Sequence, residues 1–93
     1  TMAQSSFTKQ SELLAGEIQK ELDSMFASPN RGVKQAGFHV LVGASMPNVL
    51  VELGFITNSK DYRLLSQSKY RKKMANAIFN AIVTYKNEYE KSL

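Results

Sequence analysis

One glutamate stands out as the residue of this chain whose type and position could do chemistry. Glu52 lies in the run MPNVLVELGFITN, residues 46–58, where three apolar residues precede it and Gly54 ends the apolar stretch soon after. Burying an unpaired ionised carboxylate is costly in free energy. Such a residue is therefore paired, kept protonated, or placed at a strand end where it acts as a general acid or base.

Two basic residues upstream offer Glu52 a purely structural role as the alternative. Arg31 and Lys34 lie in a predicted loop, and either could pair with the carboxylate. Arg31 is also the candidate for substrate binding, because its guanidinium fork suits an anionic group. The same fork suits a bidentate bond that anchors the loop itself. Residue chemistry alone leaves both roles open for Glu52 and for Arg31.

The sequence restricts the remaining catalytic chemistry strongly. It has no cysteine, so it has no disulfide framework, thiolate metal site or thiol nucleophile. His39 is its one histidine and falls on a predicted strand, where a structural or surface role is favoured over metal ligation. A catalytic zinc normally takes three protein ligands. No nucleophile elbow surrounds His39 for a serine hydrolase triad, and no glycine-rich phosphate loop occurs.

Size and charge set wider bounds. The 93 residues suit one small domain or a piece of a larger one, and the formal net charge of +4 favours polyanionic neighbours mildly. Much of that charge lies in Lys69, Arg71, Lys72 and Lys73, which are interpreted as a solvated helix face rather than a nucleic-acid patch. No apolar run approaches the ~20 residues of a membrane span. The N-terminal residues lack the pattern of a signal peptide, so any export signal would lie upstream.

The hydrophobic pattern predicts the order helix, strand, strand, helix, helix. The helices are predicted at about 6–26, from Asn58 or Ser59 to Leu65, and from Ser66 or Ser68 to a polar tail at 88–93, and the strands at 38–42 and 48–53. Residues 49–51 are apolar without alternation, which is typical of a strand buried on both faces. Two such strands and two amphipathic helices have more surface than they can cover mutually. The pattern therefore predicts a C-terminal segment of an α/β domain.

Two ordered motifs carry a resemblance to a known family. The run NRGVKQAGF at residues 30–38 precedes MPNVLVELGFITN at residues 46–58, and an amphipathic helix flanks the pair on each side. Together they resemble the C-terminal half of bacterial zinc-dependent N-acetylmuramoyl-L-alanine amidases. The resemblance extends from about residue 5 to residue 85.

The resemblance implies a part of a twisted central sheet flanked by helices, and an enzyme that hydrolyses the amide between N-acetylmuramic acid and L-alanine in peptidoglycan. In this family two histidines and a glutamate hold one zinc, and a separate catalytic glutamate matches Glu52. Residues 1–93 would then be the C-terminal portion of the catalytic domain, without the N-terminal portion that binds zinc. This chain supplies no metal ligand, so zinc is expected in the intact domain, and this fragment alone is expected to be inactive.

The same resemblance predicts the partners and the location. Peptidoglycan and the N-terminal half of the domain are the expected partners, and exposed strand edges would favour self-association. No nucleic acid and no membrane span are expected, and the location is the cell envelope, periplasmic or secreted. Two other functions stay open. One is a non-catalytic module of the same fold that binds the cell wall or an envelope protein, and the other is a small basic nucleic-acid-binding domain.

Overall fold

A computed structural model describes residues 2–25 and 45–93 of the chain. These residues form three helices, α1 at Met2–Met25, α2 at Ser59–Leu65 and α3 at Ser68–Lys91. The two long helices, α1 and α3, pack against each other, and α2 packs against α3. Within the two described ranges, no helix combines the length and apolar composition that crossing a membrane requires.

The buried residues of the described chain lie in the packed pair of α1 and α3. Ile18 of α1 is buried, as are Met74, Ala77 and Ala81 of α3. The three α3 residues are three and four positions apart, so they lie on one face of that helix. Ala77 and Ala81 are both 0% exposed. Because alanine has only a methyl group, the two helix backbones can approach closely at these positions.

A tyrosine adds a polar contact to this apolar interface. The Tyr85 hydroxyl donates a hydrogen bond of 2.7 Å to Oε1 of Gln10 in α1. The ring of Tyr85 stacks on Tyr89, with 6.1 Å between the ring centroids. Burial raises the pKa of the Tyr85 hydroxyl above its ordinary value, and the neighbouring Tyr89 raises it further. The hydroxyl is therefore held in the protonated form that can donate to Gln10.

The predicted α/β fold is wrong, because the described residues contain three helices and no strand or sheet. The predicted strand at 48–53 is an irregular segment, and the predicted strand at 38–42 lies outside the described residues. Exposure alternates along the segment, since Val49 and Val51 are half-buried and Leu50 is exposed. A strand needs neighbouring strands for its backbone groups. Here the Asn48 N–H donates instead to Oγ of Ser11 in α1, at 2.9 Å.

The helix boundaries agree with the sequence pattern in part. The predicted cap of α2 is confirmed, because the helix begins at Ser59 with Asn58 as its N-cap. Helix α3 begins at Ser68 after Gln67, whose side chain makes no capping hydrogen bond. The prediction that the last helix ends in the polar tail at 88–93 is confirmed, because α3 ends at Lys91. Pairs between Lys86 and Glu90 and between Lys91 and Glu88 lie along this last part, where such spacings favour the helix.

Candidate functional site

Glu52 lies in the connecting segment, residues 45–58, which joins the undescribed part of the chain to α2. Its side chain is exposed. No hydrogen bond or ion pair to Glu52 occurs among residues 2–25 and 45–93. The neighbouring Val51 is half-buried, whereas Leu53 is exposed like Glu52. The carboxylate is therefore open to solvent, and to any substrate that reaches this surface.

The connecting segment is attached to α1 on the N-terminal side of Glu52. The Asn48 N–H donates to Oγ of Ser11, and the Asn48 side-chain amide donates to the backbone oxygen of Met46 at 2.8 Å. Residues 47–49 are half-buried. This contact holds the chain four residues before Glu52 against the helix pair.

A second attachment follows Glu52 and depends on a glycine. Gly54 has a φ of +155°, a backbone conformation that side-chain-bearing residues rarely adopt. A Cβ at this position would lie 3.2 Å from the Cβ and Cγ of Asp61. The Phe55 N–H donates to Oδ2 of the same Asp61 at 3.0 Å. Gly54 thus lets the chain turn and lets the Asp61 carboxylate approach the backbone.

The first turn of α2 fixes the position of Asp61. Oδ1 of Asn58 accepts hydrogen bonds from the N–H groups of Lys60 and Asp61, each at 3.0 Å. The Asn58 N–H donates to the backbone oxygen of Phe55 at 3.0 Å and closes a tight turn. An acidic residue in the first turn is also favoured by the helix dipole. Asn58 and Asp61 therefore set the path of the chain directly after Glu52.

The structure does not test the other predicted site residues. Arg31, Lys34 and His39 lie outside the described residues, so the substrate-binding and ion-pair roles of Arg31 stay predictions. An open depression of about 660 Å³ is lined by residues of α2 and of the turns at its two ends, Tyr62 and Arg63 among them. Glu52 does not line it.

The residues of this chain do not fit the zinc site that the resemblance implies. That site needs two histidines and a glutamate, and the sequence has one histidine and no cysteine. Within the described residues, no group of three His, Cys, Asp or Glu side chains could hold a metal ion. Ligands for zinc would have to come from residues other than those given by this sequence.

Two residues that hold the connecting segment were not singled out for that role by the sequence pattern. Ser11 is 37 positions from Asn48, and nothing local marks it as a hydrogen-bond partner. Asp61 is recognisable as a first-turn acid of α2, but its bond to the Phe55 N–H is not. The signal available in the sequence is Gly54 itself, because a glycine five residues before the start of a capped helix allows a close approach of the backbone.

Comparison with known proteins gives one family. The sequence model of the N-acetylmuramoyl-L-alanine amidase family matches residues 1–84. The chain is 44% identical over 75 residues to the N-acetylmuramoyl-L-alanine amidase LytC of Bacillus subtilis, covering 81% of this chain and 15% of that protein. It is 39% identical over 84 residues to the N-acetylmuramoyl-L-alanine amidase AmiA of Salmonella typhimurium, covering 90% of this chain and 29% of that protein.

A further relative is the uncharacterized protein YqiI of Bacillus subtilis. Its identity is 47% over 75 residues, which cover 81% of this chain and 36% of that protein. The chain thus spans between 15% and 36% of the length of these three relatives. No solved structure matches the chain significantly.

Proposed function

Because this chain belongs to the N-acetylmuramoyl-L-alanine amidase family, we propose that it is part of an enzyme that hydrolyses the amide between N-acetylmuramic acid and L-alanine in peptidoglycan. Glu52 is the proposed catalytic residue. The observation that carries the proposal is its place in the matched region: an exposed carboxylate between two attachments of an irregular segment. The proposal covers the whole protein, since its relatives are longer than this chain.

The chemistry assigned to Glu52 is proton transfer. Its carboxylate accepts a proton from the water whose oxygen attacks the amide carbon. The protonated side chain then gives that proton to the amide nitrogen as the carbon–nitrogen bond breaks. The products are the lactyl carboxylate of the sugar and the free amino group of L-alanine. A positioned acid or base of this kind contributes about 10²–10⁴-fold to a rate.

The structure supports this role by what surrounds Glu52. The Ser11–Asn48 bond precedes it and the Asp61–Phe55 bond follows it, so the backbone that carries the side chain is held at both ends. Catalytic groups are commonly placed on irregular segments that a rigid scaffold positions. In this protein the scaffold is the packed pair of α1 and α3.

In this proposal, any zinc would be bound by residues outside the given sequence. When bound, a catalytic zinc lowers the pKa of its water to about 7 and polarises the carbonyl group. This chain has one histidine and no cysteine, so its residues do not fit the family's zinc site. We therefore propose that the zinc ligands, if the enzyme uses the family's metal, are supplied from outside these residues.

The proposed location follows from the substrate. Peptidoglycan lies outside the cytoplasm, so the enzyme would act in the cell envelope, either periplasmic or secreted. Relatives named as cell wall amidases support this, such as the uncharacterized cell wall amidase of Bacillus anthracis, at 36% identity over 85 residues.

The test is substitution of Glu52 by glutamine in the full gene product. Glu52→Gln keeps the size of the side chain and removes its proton-accepting carboxylate. We expect the release of stem peptides from purified peptidoglycan, with zinc added, to fall about 10²–10⁴-fold. The matched control is Glu21→Gln on α1, which changes the net charge equally and should keep wild-type activity.

Two outcomes would contradict the proposal. Full activity of the Glu52→Gln protein would remove the catalytic role of Glu52. No peptide release from the wild-type gene product, combined with retained binding to peptidoglycan, would favour the non-catalytic wall-binding module instead.

A further inference from the structure

The excess of positive over negative charge in this chain is concentrated in one part of it. From residue 62 to residue 87 the sequence has six basic residues and no Asp or Glu, whereas the remaining residues have six basic and eight acidic residues. The whole net charge of +4 therefore originates in α3 and the end of α2. Such a separation of charge creates a local positive potential that attracts anionic partners.

Within this part, one face of α3 carries a row that we name the lysine stripe. It consists of Lys69, Lys72, Lys73, Asn76 and Asn80. The spacings of three and four residues place them on one side of the helix, and all five are exposed. Lys69 and Lys73 are separated by four residues, or about 6 Å along the helix axis.

Among residues 2–25 and 45–93, the lysines of the stripe make no ion pair. The ion pairs of the described residues involve Lys20, Lys86 and Lys91 instead. Lys73 Nζ lies 5.8 Å from the centroid of the Tyr70 ring, which still leaves it exposed. Arg71 differs, because its guanidinium donates to the backbone oxygen of Leu65 at 2.7 Å. Arg71 thus supports the end of α2 and does not belong to the stripe.

The position of the lysines opposes the stability of α3. The N-terminal end of a helix carries the positive end of its dipole, where cations are unfavourable and anions favourable. The first turn of α3 has no acidic residue, and its N-cap Gln67 makes no side-chain capping bond. Lys69 in the first turn therefore costs some helix stability. A bound anion would reverse that cost.

We propose that the lysine stripe binds a phosphodiester polymer of the cell envelope whose repeating units carry hydroxyl groups. Lysine ammonium groups suit phosphates as point charges, and the amides of Asn76 and Asn80 can donate to and accept from hydroxyl groups. The choice of an envelope polymer rests on the proposed function, which places the protein at peptidoglycan. Bound there, the polymer would hold the enzyme on its insoluble substrate.

Nucleic acid and membrane surface fit the stripe less well. Single-stranded nucleic acid is bound by rows of aromatic side chains on which successive bases stack. Beside the stripe, Phe79 is one exposed ring, and Tyr70 is half-buried next to Lys73. A membrane-surface helix presents a broad apolar face to the acyl chains. Helix α3 exposes Phe79, Ile82 and Val83, but the stripe itself continues into the amides of Asn76 and Asn80 and not into apolar residues.

The test measures binding of labelled poly(glycerol phosphate) to the protein by fluorescence anisotropy. If three lysines each neutralise one phosphate, the affinity should fall about 20-fold between 50 and 200 mM salt. The variant Lys69→Gln, Lys72→Gln, Lys73→Gln should bind about 10-fold or more weakly at 50 mM salt and lose most of this salt dependence. Glutamine has nearly the helix propensity of lysine, so α3 is retained, which circular dichroism checks.

The matched control is Lys9→Gln, Lys20→Gln, Lys91→Gln, which removes the same charge from exposed positions elsewhere. It should bind the polymer within about twofold of wild type. Equal losses in the two triple variants would overturn the proposal, since they would show a net-charge effect only. Tighter binding to an oligo(dT) of equal charge, or to phosphatidylglycerol vesicles, would also overturn it.

A second measurement separates this proposal from the proposed function. Less wild-type protein should cosediment with cell walls after hydrofluoric acid has cleaved their phosphodiesters. The stripe variant should cosediment equally with treated and untreated walls. Glu52→Gln should leave polymer binding unchanged. If the stripe variant binds the polymer like wild type while peptide release still depends on Glu52, only the stripe proposal is contradicted. If the stripe variant loses polymer binding while the Glu52→Gln protein keeps full peptide release, only the assignment of Glu52 is contradicted.

Discussion

The helix pair α1 and α3 and the connecting segment are held by different physical means. All the buried residues of the described chain, Ile18, Met74, Ala77 and Ala81, belong to the helix pair. No residue from 45 to 67 is buried. The connecting segment is held by hydrogen bonds at its two ends, to Ser11 and to Asp61. Stability thus resides in one region, while the candidate catalytic residue resides in the other.

This difference explains how Glu52 can be both exposed and positioned. Regions with few buried apolar contacts open locally at low free energy cost, and binding sites are drawn from them. The connecting segment exposes several large apolar residues, among them Leu50, Leu53 and Ile56. Its two polar attachments therefore have to restrict the backbone around Glu52, because side-chain burial does so only weakly there. Substitutions matched between the two regions can test this contrast.

The largest expected difference comes from shortening one methionine in each region. Met74 is buried between α1 and α3, whereas Met46 of the connecting segment is 63% exposed. Met74→Ala should lower the free energy of unfolding by about 2–5 kcal/mol, through lost burial and a cavity. Met46→Ala should change it by about 0.5 kcal/mol or less. Urea denaturation followed by circular dichroism measures both, and equal effects would remove the contrast between the regions.

The next largest changes in stability are expected from alanine substitutions at two glycines, one destabilising and one stabilising. Gly54→Ala forces a side chain into a positive φ and against Asp61, so it should destabilise by about 1–3 kcal/mol. Gly16 lies inside α1 with nothing within 4 Å of the added methyl group. Gly16→Ala should therefore stabilise by about 1 kcal/mol. Faster hydrogen exchange at the Phe55 amide in Gly54→Ala would locate the damage at the second attachment, and unchanged exchange would argue against it.

A smaller effect is expected at the cap of α2. Asn58→Ala removes the acceptor for the N–H groups of Lys60 and Asp61 and should cost about 1 kcal/mol. Asn87 is exposed within α3 and caps nothing, so Asn87→Ala should be neutral or slightly stabilising. Chemical denaturation compares the two variants. Equal stabilities would mean that the Asn58 cap does not support the turn after Glu52.

The smallest effect tests the polar contact within the helix pair. Tyr85→Phe removes the hydrogen bond to Gln10 and should cost about 0.5–1.5 kcal/mol at neutral pH. Tyr89→Phe is the control, because in the described residues its hydroxyl makes no comparable bond between helices.

The same tyrosine predicts how stability depends on pH. The pKa of Tyr85 is raised in the folded state, mainly by burial, so folding favours its protonated form. Its contribution is complete below the unfolded pKa of about 10 and is lost as pH rises through the higher folded value. The stability advantage of wild type over Tyr85→Phe should therefore shrink in denaturation experiments above pH 10. A constant advantage would contradict the assignment.

Local patterns in the sequence predicted the helices well and the sheet wrongly. The hydrophobic pattern at about 6–26 indicated α1, and Asn58 or Ser59 indicated the start of α2. Both signals depend on contacts within a few residues. The apolar run at 49–51 indicated a strand, but a strand depends on partners elsewhere in the chain. Among the described residues, the Asn48 N–H donates to Ser11 instead, and no local sequence pattern predicts this hydrogen bond.

The candidate site, too, could be predicted from the sequence only in part. The candidate residue was recognisable in the sequence, because one carboxylate in an apolar run, followed by a glycine, is unusual, and the family match agrees with the resemblance of its motif. The catalytic role of Glu52 remains a prediction, and Arg31 lies outside the described residues. The exposure of Glu52 and the two attachments beside it appeared only in three dimensions, because they depend on partners 37 and 6 residues apart along the chain.

The sequence by itself determined the family, the three helices and the concentration of net positive charge in residues 62–87, since these follow from residue identity and short-range spacing. Only the tertiary structure decided that residues 48–53 form an irregular segment bonded to α1 at Asn48, and that Gly54 and Asp61 meet after Glu52. The physical reason is that backbone donors must find acceptors somewhere. Which acceptors lie near is a property of the packed chain rather than of any short stretch of it.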